Sequence, residues 1–213
     1  MNFDKFLELV PKIKNLPLPG QESQYKMASI PARELRNVDM AVKAPKKAGV
    51  MALFYPDRQD ITHIVLLLRK EYEGVHSNQV GFPGGKVEEE DADIQVTALR
   101  ETHEEIGIAS EKIEVVRAMT TLYIPPSNFL VQPFLGITGE PPVFFPQEEE
   151  VEQLIEVPLD DVLDDNLVSR KTITTSYAVN VDVPVFNFNE HVVWGATAAM
   201  LSEVKDLLKI ALE

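Results

Sequence analysis

Glu101, Glu104 and Glu105, with the Phe82-Pro83-Gly84-Gly85 turn upstream of them, are the residues of this chain best suited to do chemistry. On a helix the spacing i, i+3, i+4 brings the three carboxylates to one side, where like charges repel unless water or a cation relieves them. They also sit near the C-terminal end, where a helix dipole disfavours anions, and no Lys or Arg follows Arg100 in that stretch. A glycine pair leaves backbone carbonyls open to a ligand or an ion. Carboxylate and carbonyl oxygens are hard donors, so the ion suited to such a set is Mg²⁺ or Mn²⁺ rather than Zn²⁺. The alternative reading of the acidic triplet is a solvated charged face.

The element that must carry these groups is a helix. From Asp93 to Ile106 there is no Pro or Gly, and Gly107 stands where a helix C-terminal glycine belongs. At about 100° per residue, Val96, Leu99, His103 and Ile106 share one side, which is expected to dock on a sheet. Ile94, Thr97, Ala98, Glu101, Glu104 and Glu105 share the other.

The segment from Gly81 to Ile108 resembles the Nudix box. Arg100-Glu101-Thr102-His103-Glu104-Glu105-Ile106-Gly107-Ile108 matches its second half, with Thr at an apolar place. The loop from Gly85 to Arg100 is one residue longer than the general pattern, so the box's isolated glutamate falls on Asp91 or, counted back from Arg100, on Ala92. A longer acidic loop of this kind is similar to the coenzyme A pyrophosphatase branch. So is the stretch before the box, Val65-Leu66-Leu67-Leu68-Arg69 and then His76-Ser77-Asn78-Gln79-Val80-Gly81-Phe82-Pro83-Gly84-Gly85. Two departures occur there: the branch's Leu-Arg pair falls on Glu73-Gly74, and its Gly falls on Asn78. Val192 to Ala198 resembles the branch's turn into a terminal helix, and the likeness runs from about residue 49 to 205.

The resemblance implies an α/β (α+β) protein, a Nudix-like α/β/α sandwich with a mixed β-sheet. It implies metal-dependent hydrolysis of a pyrophosphate bond in a small-molecule nucleotide. The metal set would be Gly85 through its carbonyl, Glu101, Glu104 and Glu105. Glu101 or Glu150 would act as general base, Glu150 being favoured by register among Glu148, Glu149 and Glu150. Arg100 points about 100° away from Glu101 and is expected to orient a loop carboxylate by bidentate pairing. Arg69, Lys70, His76, Gln79 and Lys86 are the candidate substrate-binding residues. The substrate the resemblance implies is coenzyme A or an acyl-CoA. The alternatives are ADP-ribose or a dinucleotide, or a non-catalytic ligand-binding module, which would be expected to have lost box carboxylates.

The rest of the chain sets bounds. Its 213 residues are 45% hydrophobic and 25% charged, a globular composition. Residues 1–48 are read as an N-terminal extension packed on a domain spanning 49–213. In the extension Phe3, Phe6, Leu7 and Val10 keep helical spacing, while Pro11, Pro17 and Pro19 limit that helix to about three turns. The extension could also serve as the arm of a homodimer. Gly49–Tyr55 and Ile61–Leu68 read as a hairpin, Ile113–Met119 and Phe129–Ile137 as strands, Leu159–Leu163 as a short helix. Thr197, Leu201, Val204, Leu208 and Ala211 are the expected inner face of the terminal helix, and Trp194 is read as core. No apolar run is long enough to span a bilayer, and the net charge of −14 speaks against nucleic acid and anionic membrane as partners. With no cysteine and no secretory pattern, the expected compartment is the reducing cytoplasm.

Overall fold

The computed structural model describes residues 1–28, 44–71, 78–174 and 180–213. Helix α1 (Phe3–Asn15) starts at Asn2, whose side chain accepts from the Asp4 amide, and it runs through Pro11. Phe3, Phe6, Val10 and Ile13 form its buried stripe, and the Phe6 ring lies 5.0 Å from that of Phe54. The Arg117 guanidinium closes its C-terminus by donating to the carbonyls of Ile13 and Leu16 at 2.6 and 2.7 Å. A short helix α2 (Gln21–Lys26) follows.

The central strand is β1 (Lys46–Pro56), which forms the expected hairpin with β2 (Thr62–Arg69), Phe54 facing Ile64. Strands β3 (Val80–Gly81) and β4 (Gly84–Lys86) pair with β2 and β1 respectively. Helix α3 (Ile94–Ile106) comes next, then β5 (Glu114–Ala118), β6 (Leu122–Ile124) and β7 (Phe129–Ile137). Strand β8 (Val151–Pro158) pairs along the outer edge of β2 and leads into α4 (Leu159–Leu163). The spine of the sheet is β3-β2-β1-β7-β5; β1 and β7 are parallel and the other pairings antiparallel, so the sheet is mixed. A separate antiparallel sheet is built from β9 (Val168–Ile173), β10 (Val181–Phe188) and β11 (His191–Val193), and α5 (Gly195–Leu212) ends the chain.

Side chains alternate along β1 with period two, so the strand feeds two cores. Met51, Leu53 and Tyr55 pack with Ala98 and Ile106 of α3. Ala48, Ala52 and Phe54 pack with α1 and α5. The result is the expected sandwich, helices on both faces of a mixed sheet.

Three expectations about faces need correction. The side of α3 expected to dock does so only in part: Ile106 is buried and Leu99 packs against the core, but Val96 is 38% exposed and His103 is exposed, while Thr97, Ala98, Thr102 and Glu105 of the other side are buried. The cause is the closeness of α3 to β1. A Cβ on Gly49 would lie 2.4 Å from the Ile94 carbonyl oxygen and 3.1 Å from the Ala98 nitrogen, so only small side chains fit that crossing. The terminal helix buries more than one stripe, because α1, α2, α4 and the sheet surround it. Met200, Glu203, Lys205 and Leu207 join Leu201, Val204, Leu208 and Ala211, and Thr197 is only half-buried. Trp194 is half-buried at the N-cap of α5 rather than in the apolar core.

The charged groups buried in α5 are satisfied. The Glu203 carboxylate accepts from the Gly20 amide, the Gln24 side chain and the Thr120 amide, tying α2 to α5. Lys205 donates to the Asp164 carbonyl at 3.0 Å and pairs with Asp165 at 2.9 Å. If the closeness of α3 to β1 sets the register of the site, Gly49→Ala should lower stability by about 1–3 kcal/mol through overpacking. Gly139→Ala, with nothing within 4 Å of its added methyl group, should change it by less than about 0.5 kcal/mol. Urea unfolding of both variants checks this, and equal midpoints would contradict it.

Candidate active site

The Gly84-Gly85 turn is held from both sides. Pro83 accepts from the Met51 amide at 2.8 Å, which seats the turn on β1. Gly84 has φ +147, and a Cβ there would lie 2.4 Å from the Gly49 carbonyl oxygen. A Cβ on Gly85 would lie 2.4 Å from the Glu101 carboxyl group, so the missing side chain is the space that Glu101 occupies.

Glu105 is buried, at 1% exposure, and pinned to the same turn. Its Oε2 accepts from the Gly84 amide at 2.8 Å and its Oε1 meets Arg69 Nη1 at 2.9 Å, while Arg69 Nη2 donates to the Gly84 carbonyl at 2.7 Å. Arg69, expected to receive phosphate, is thus committed to Glu105 and the turn. Burial pushes the Glu105 carboxyl up from 4.5 to about 7. Arg69 and the Gly84 amide oppose that rise, and the charges of Glu101 and Glu150 add to it. The Glu101 carboxyl is raised in the same way, first by burial, with Glu104 and Glu150 contributing.

Arg100 pairs with a loop carboxylate as expected, but it also lies against Glu101, from which its direction on the helix was expected to turn it. Its Nε and Nη2 grip Asp91 at 3.0 and 3.1 Å, and Nη2 also reaches the Lys86 carbonyl. Its Nη1 stands 3.1 Å from Glu101 and 3.0 Å from Glu104. Asp91 further accepts from the Thr97 hydroxyl at 2.8 Å and the Glu88 amide at 2.9 Å. The hydrogen bonds from Arg100 hold the Asp91 carboxyl well below the usual carboxylate range. Asp91, and not the exposed Ala92, is therefore the partner of Arg100 in the loop.

The loop after β7 delivers Glu150. The Phe145 and Gln147 amides donate to the carbonyls of Ile106 and Glu105 at 2.9 and 3.0 Å, capping the end of α3 beyond Gly107. Gln147 in turn accepts from the amides of Glu150 and Val151. The Glu150 carbonyl receives the Lys70 amide at 3.0 Å, and the bulge between Leu68 and Arg69 brings Arg69 beside Val151. Glu150 is the acidic-loop residue whose charge is felt at both Glu101 and Glu105.

The other candidates are scattered. Lys70 takes part through its backbone, as does Gln79, whose carbonyl accepts from the Arg69 amide at 3.1 Å. Lys86 is exposed on the face of β4 opposite to Gly85 and Glu101. His76 lies outside the described residues. Asn78, where the resembling branch has Gly, adopts φ 53, a left-handed conformation that Gly and Asn both tolerate. Sequence reasoning missed the clamp made by Arg69 and the capping amides of Phe145 and Gln147. The exposed carbonyl end of α3 was the one available signal for the latter.

Among the described residues, no three carboxylate or histidine side chains already surround a point that could hold an ion. Arg69 and Arg100 supply the positive charge beside Glu105, Glu104 and Glu101. The donor set nonetheless fits a hard cation. Burial raises both carboxyls first, Glu104 and Glu150 add to the rise at Glu101, Glu101 and Glu150 add to it at Glu105, and Gly85 leaves Glu101 free of a blocking side chain.

The NUDIX domain family model matches residues 45–175 of the chain. A Nudix hydrolase NudL, named as uncharacterized, from Pectobacterium atrosepticum is 32% identical over 151 residues, 67% of this chain and 74% of that protein. The peroxisomal coenzyme A diphosphatase ndx-8 of Caenorhabditis elegans is 29% identical over 169 residues, 78% of this chain and 70% of its own length. The human mitochondrial coenzyme A diphosphatase NUDT8 is 32% identical over 161 residues, 75% of this chain and 64% of that protein. In fold the chain is similar to the Nudix hydrolase RenU of M. smegmatis, at TM-score 0.51 and 15% identity over 78% of this chain and 87% of that one. A MutT/nudix family protein of Enterococcus faecalis gives TM-score 0.51 at 16% identity, over 89% of this chain and 73% of its own. The chain belongs to the Nudix family. Within it, it is a pyrophosphohydrolase.

The shifted carboxyl gives a measurable consequence. Folded and metal-free, Glu105 keeps its proton up to about 7, whereas the unfolded chain releases it near 4.5. Between those values the folded state binds more protons, so this group's contribution makes stability fall as pH rises. A cation must displace the same proton. Calorimetric titration of metal-free protein with Mn²⁺ at about pH 7 should therefore show heats that vary with the buffer's ionisation enthalpy. Glu105→Gln should remove that dependence, and buffer-independent heats in the unsubstituted chain would contradict it.

Proposed function

We propose that this pyrophosphohydrolase cleaves coenzyme A or an acyl-CoA, giving adenosine 3′,5′-bisphosphate and (acyl-)4′-phosphopantetheine. The observation that carries the reaction is the seating of Glu101 and Glu105 at the Gly84-Gly85 turn. The coenzyme is supported by likeness to two proteins named as coenzyme A diphosphatases, each covering at least three quarters of this chain. The left-handed Asn78 is compatible with it, since Gly and Asn are the residues that most readily adopt that conformation.

The divalent ion, Mg²⁺ or Mn²⁺, would be held by Glu101, Glu104, Glu105 and the Gly85 carbonyl. When bound it supplies neutralisation of the diphosphate oxygens and acidifies the attacking water. The chain's own work is positioning. Arg69 and the Gly84 amide fix Glu105 against the turn, and Asp91 fixes Arg100. Arg100 lies between Glu101 and Glu104 and tempers their repulsion before substrate arrives. Glu150 is exposed at the head of β8, where it can meet a water molecule from solvent; it takes the proton as that water attacks phosphorus in line. The bridging P–O bond breaks and the leaving phosphate departs with its electron pair. Glu101, half-buried and raised, is the second candidate for the base.

A phosphorylated product from ADP-ribose or a dinucleotide is the competing outcome, and a chain that binds nucleotides without turnover is the last. Among the described residues no helix is long and apolar enough to cross a membrane. The cytoplasm is the compartment proposed, against relatives named as peroxisomal and mitochondrial.

Incubation with coenzyme A and Mg²⁺ should release adenosine 3′,5′-bisphosphate, and EDTA should abolish the release. Glu104→Gln and Glu105→Gln should each lower kcat by at least about 10²-fold while leaving the circular dichroism spectrum intact. Faster turnover of ADP-ribose or a dinucleotide than of coenzyme A would reassign the substrate. Unchanged kcat in both variants would remove the acidic edge of α3 from the chemistry.

A further inference from the structure

The opposite face of the same strands carries a second charged arrangement. Across the ladders, Lys86 of β4 faces Ala48 of β1, Lys46 of β1 faces Phe129 of β7, and Phe129 faces Ile124 of β6. Ladder partners point to the same side of a sheet, so Lys46, Lys86, Phe129 and Ile124 share one face. The intervening Gly49 and Gly85 belong to the other face, against α3 and Glu101.

Lys46 and Lys86 are diagonal neighbours, a relation that sets Cβ atoms about 7–8 Å apart or less, a span that two lysines can close around one phosphate. Both are exposed, and among the described residues neither ammonium is ion-paired. Lys46 Nζ stands 5.9 Å from the centre of the Phe129 ring, which is half-buried with Ile124 on the apolar core beneath. Two cations side by side over an apolar floor repel one another until an anion joins them. In a chain of net charge −14 such a pair stands out from its surroundings. Lys86 follows Gly85 directly in β4, so its side chain leaves on the opposite face of the sheet, one residue along the strand from the turn that faces the acidic edge.

We propose that Lys46 and Lys86 receive a phosphate monoester at the nucleoside end of the substrate, with Phe129 and Ile124 as the floor for its base or sugar. This rests on the coenzyme A reading, in which the nucleoside carries a 3′-phosphate apart from the diphosphate to be cut. The subsite would make that phosphate a determinant of specificity, separate from the chemistry at the acidic edge.

The test compares coenzyme A with 3′-dephospho-coenzyme A. The unsubstituted enzyme should prefer coenzyme A in kcat/KM. Lys46→Ala should reduce that preference by about tenfold, the scale of one lost hydrogen bond to a charged group, chiefly through KM. Lys46→Arg should restore it. In metal-free protein with EDTA, calorimetry should show tighter binding of adenosine 3′,5′-bisphosphate than of adenosine 5′-monophosphate, and Lys46→Ala should erase the difference. An undiminished preference together with undiminished bisphosphate affinity would overturn the subsite. If the enzyme cleaves neither coenzyme, the proposed function fails, and the binding measurement alone then decides: erased discrimination in Lys46→Ala supports the subsite, and retained or absent discrimination refutes it.

Discussion

A carboxylate buried beside a glycine turn is the constraint around which this protein is arranged. Glu105 is almost fully enclosed, and an ionised group so placed is costly unless charge and hydrogen bonds meet it. Arg69 and the Gly84 amide meet it here, from β2 and from β4. Breaking such a buried pair by removing one partner typically costs about 3–5 kcal/mol, more than a surface ion pair contributes. The half-open position of Arg69 places this pair nearer the lower end. The arrangement joins the end of β2, the start of β4 and the last turn of α3, and so fixes the geometry of the acidic edge.

Burial of Glu105 explains why the side of α3 was hard to foresee. Periodicity assumes that the apolar stripe faces inward, and Val96, Leu99 and Ile106 make the more apolar stripe. The helix keeps Ile106 and Leu99 against the core but turns so that Thr97, Ala98, Thr102 and Glu105 are also buried, because Gly49 lets the two backbones come close and rewards small side chains. The limits of the helix were legible for a local reason: Asp93 caps its first turn by accepting the Val96 amide at 2.9 Å, and Gly107 ends it at φ 78. Strand Phe129–Ile137 and helix Leu159–Leu163 were legible in the same way, from turn residues at their borders. The pairing of Arg100 with a loop carboxylate followed from its direction on the helix, but the choice between Asp91 and Ala92 needed the path of the loop. The commitment of Arg69 to Glu105 was not legible, since nothing local marks two charges that meet only after β2 and α3 are packed.

The two faces of β1 divide the work of the fold. One face presses on α3 and holds the acidic edge. The other supports α1 and α5, whose buried polar groups are satisfied by backbone amides and carbonyls far away in sequence. Glu203 is the clearest case: three donors from two segments converge on it, so the region before β1 is tied to the end of the chain. Such ties leave the α3 face free to carry groups that do not contribute to packing, which is where repelling carboxylates can be tolerated.

Charge is the remaining problem, and it bears on how a substrate approaches. A chain of net charge −14 repels a diphosphate at long range, and the two arginines nearest the turn are already engaged with carboxylates. Screening shortens that repulsion to about 8 Å at physiological salt, so the attraction that matters is local. It can come from two places. A cation among Glu101, Glu104 and Glu105 would turn the most acidic edge into the point of attack on phosphorus, and exposed lysines at the sheet end would hold what lies beyond the diphosphate. Glu101 and Glu105, raised first by burial and further by neighbouring carboxylates, fit the first, because a cation would relieve the repulsive part of that rise. An enzyme arranged in this way would recognise its substrate through the ion and the lysines together, and the acidity of the rest of the surface would turn away anions that cannot use both.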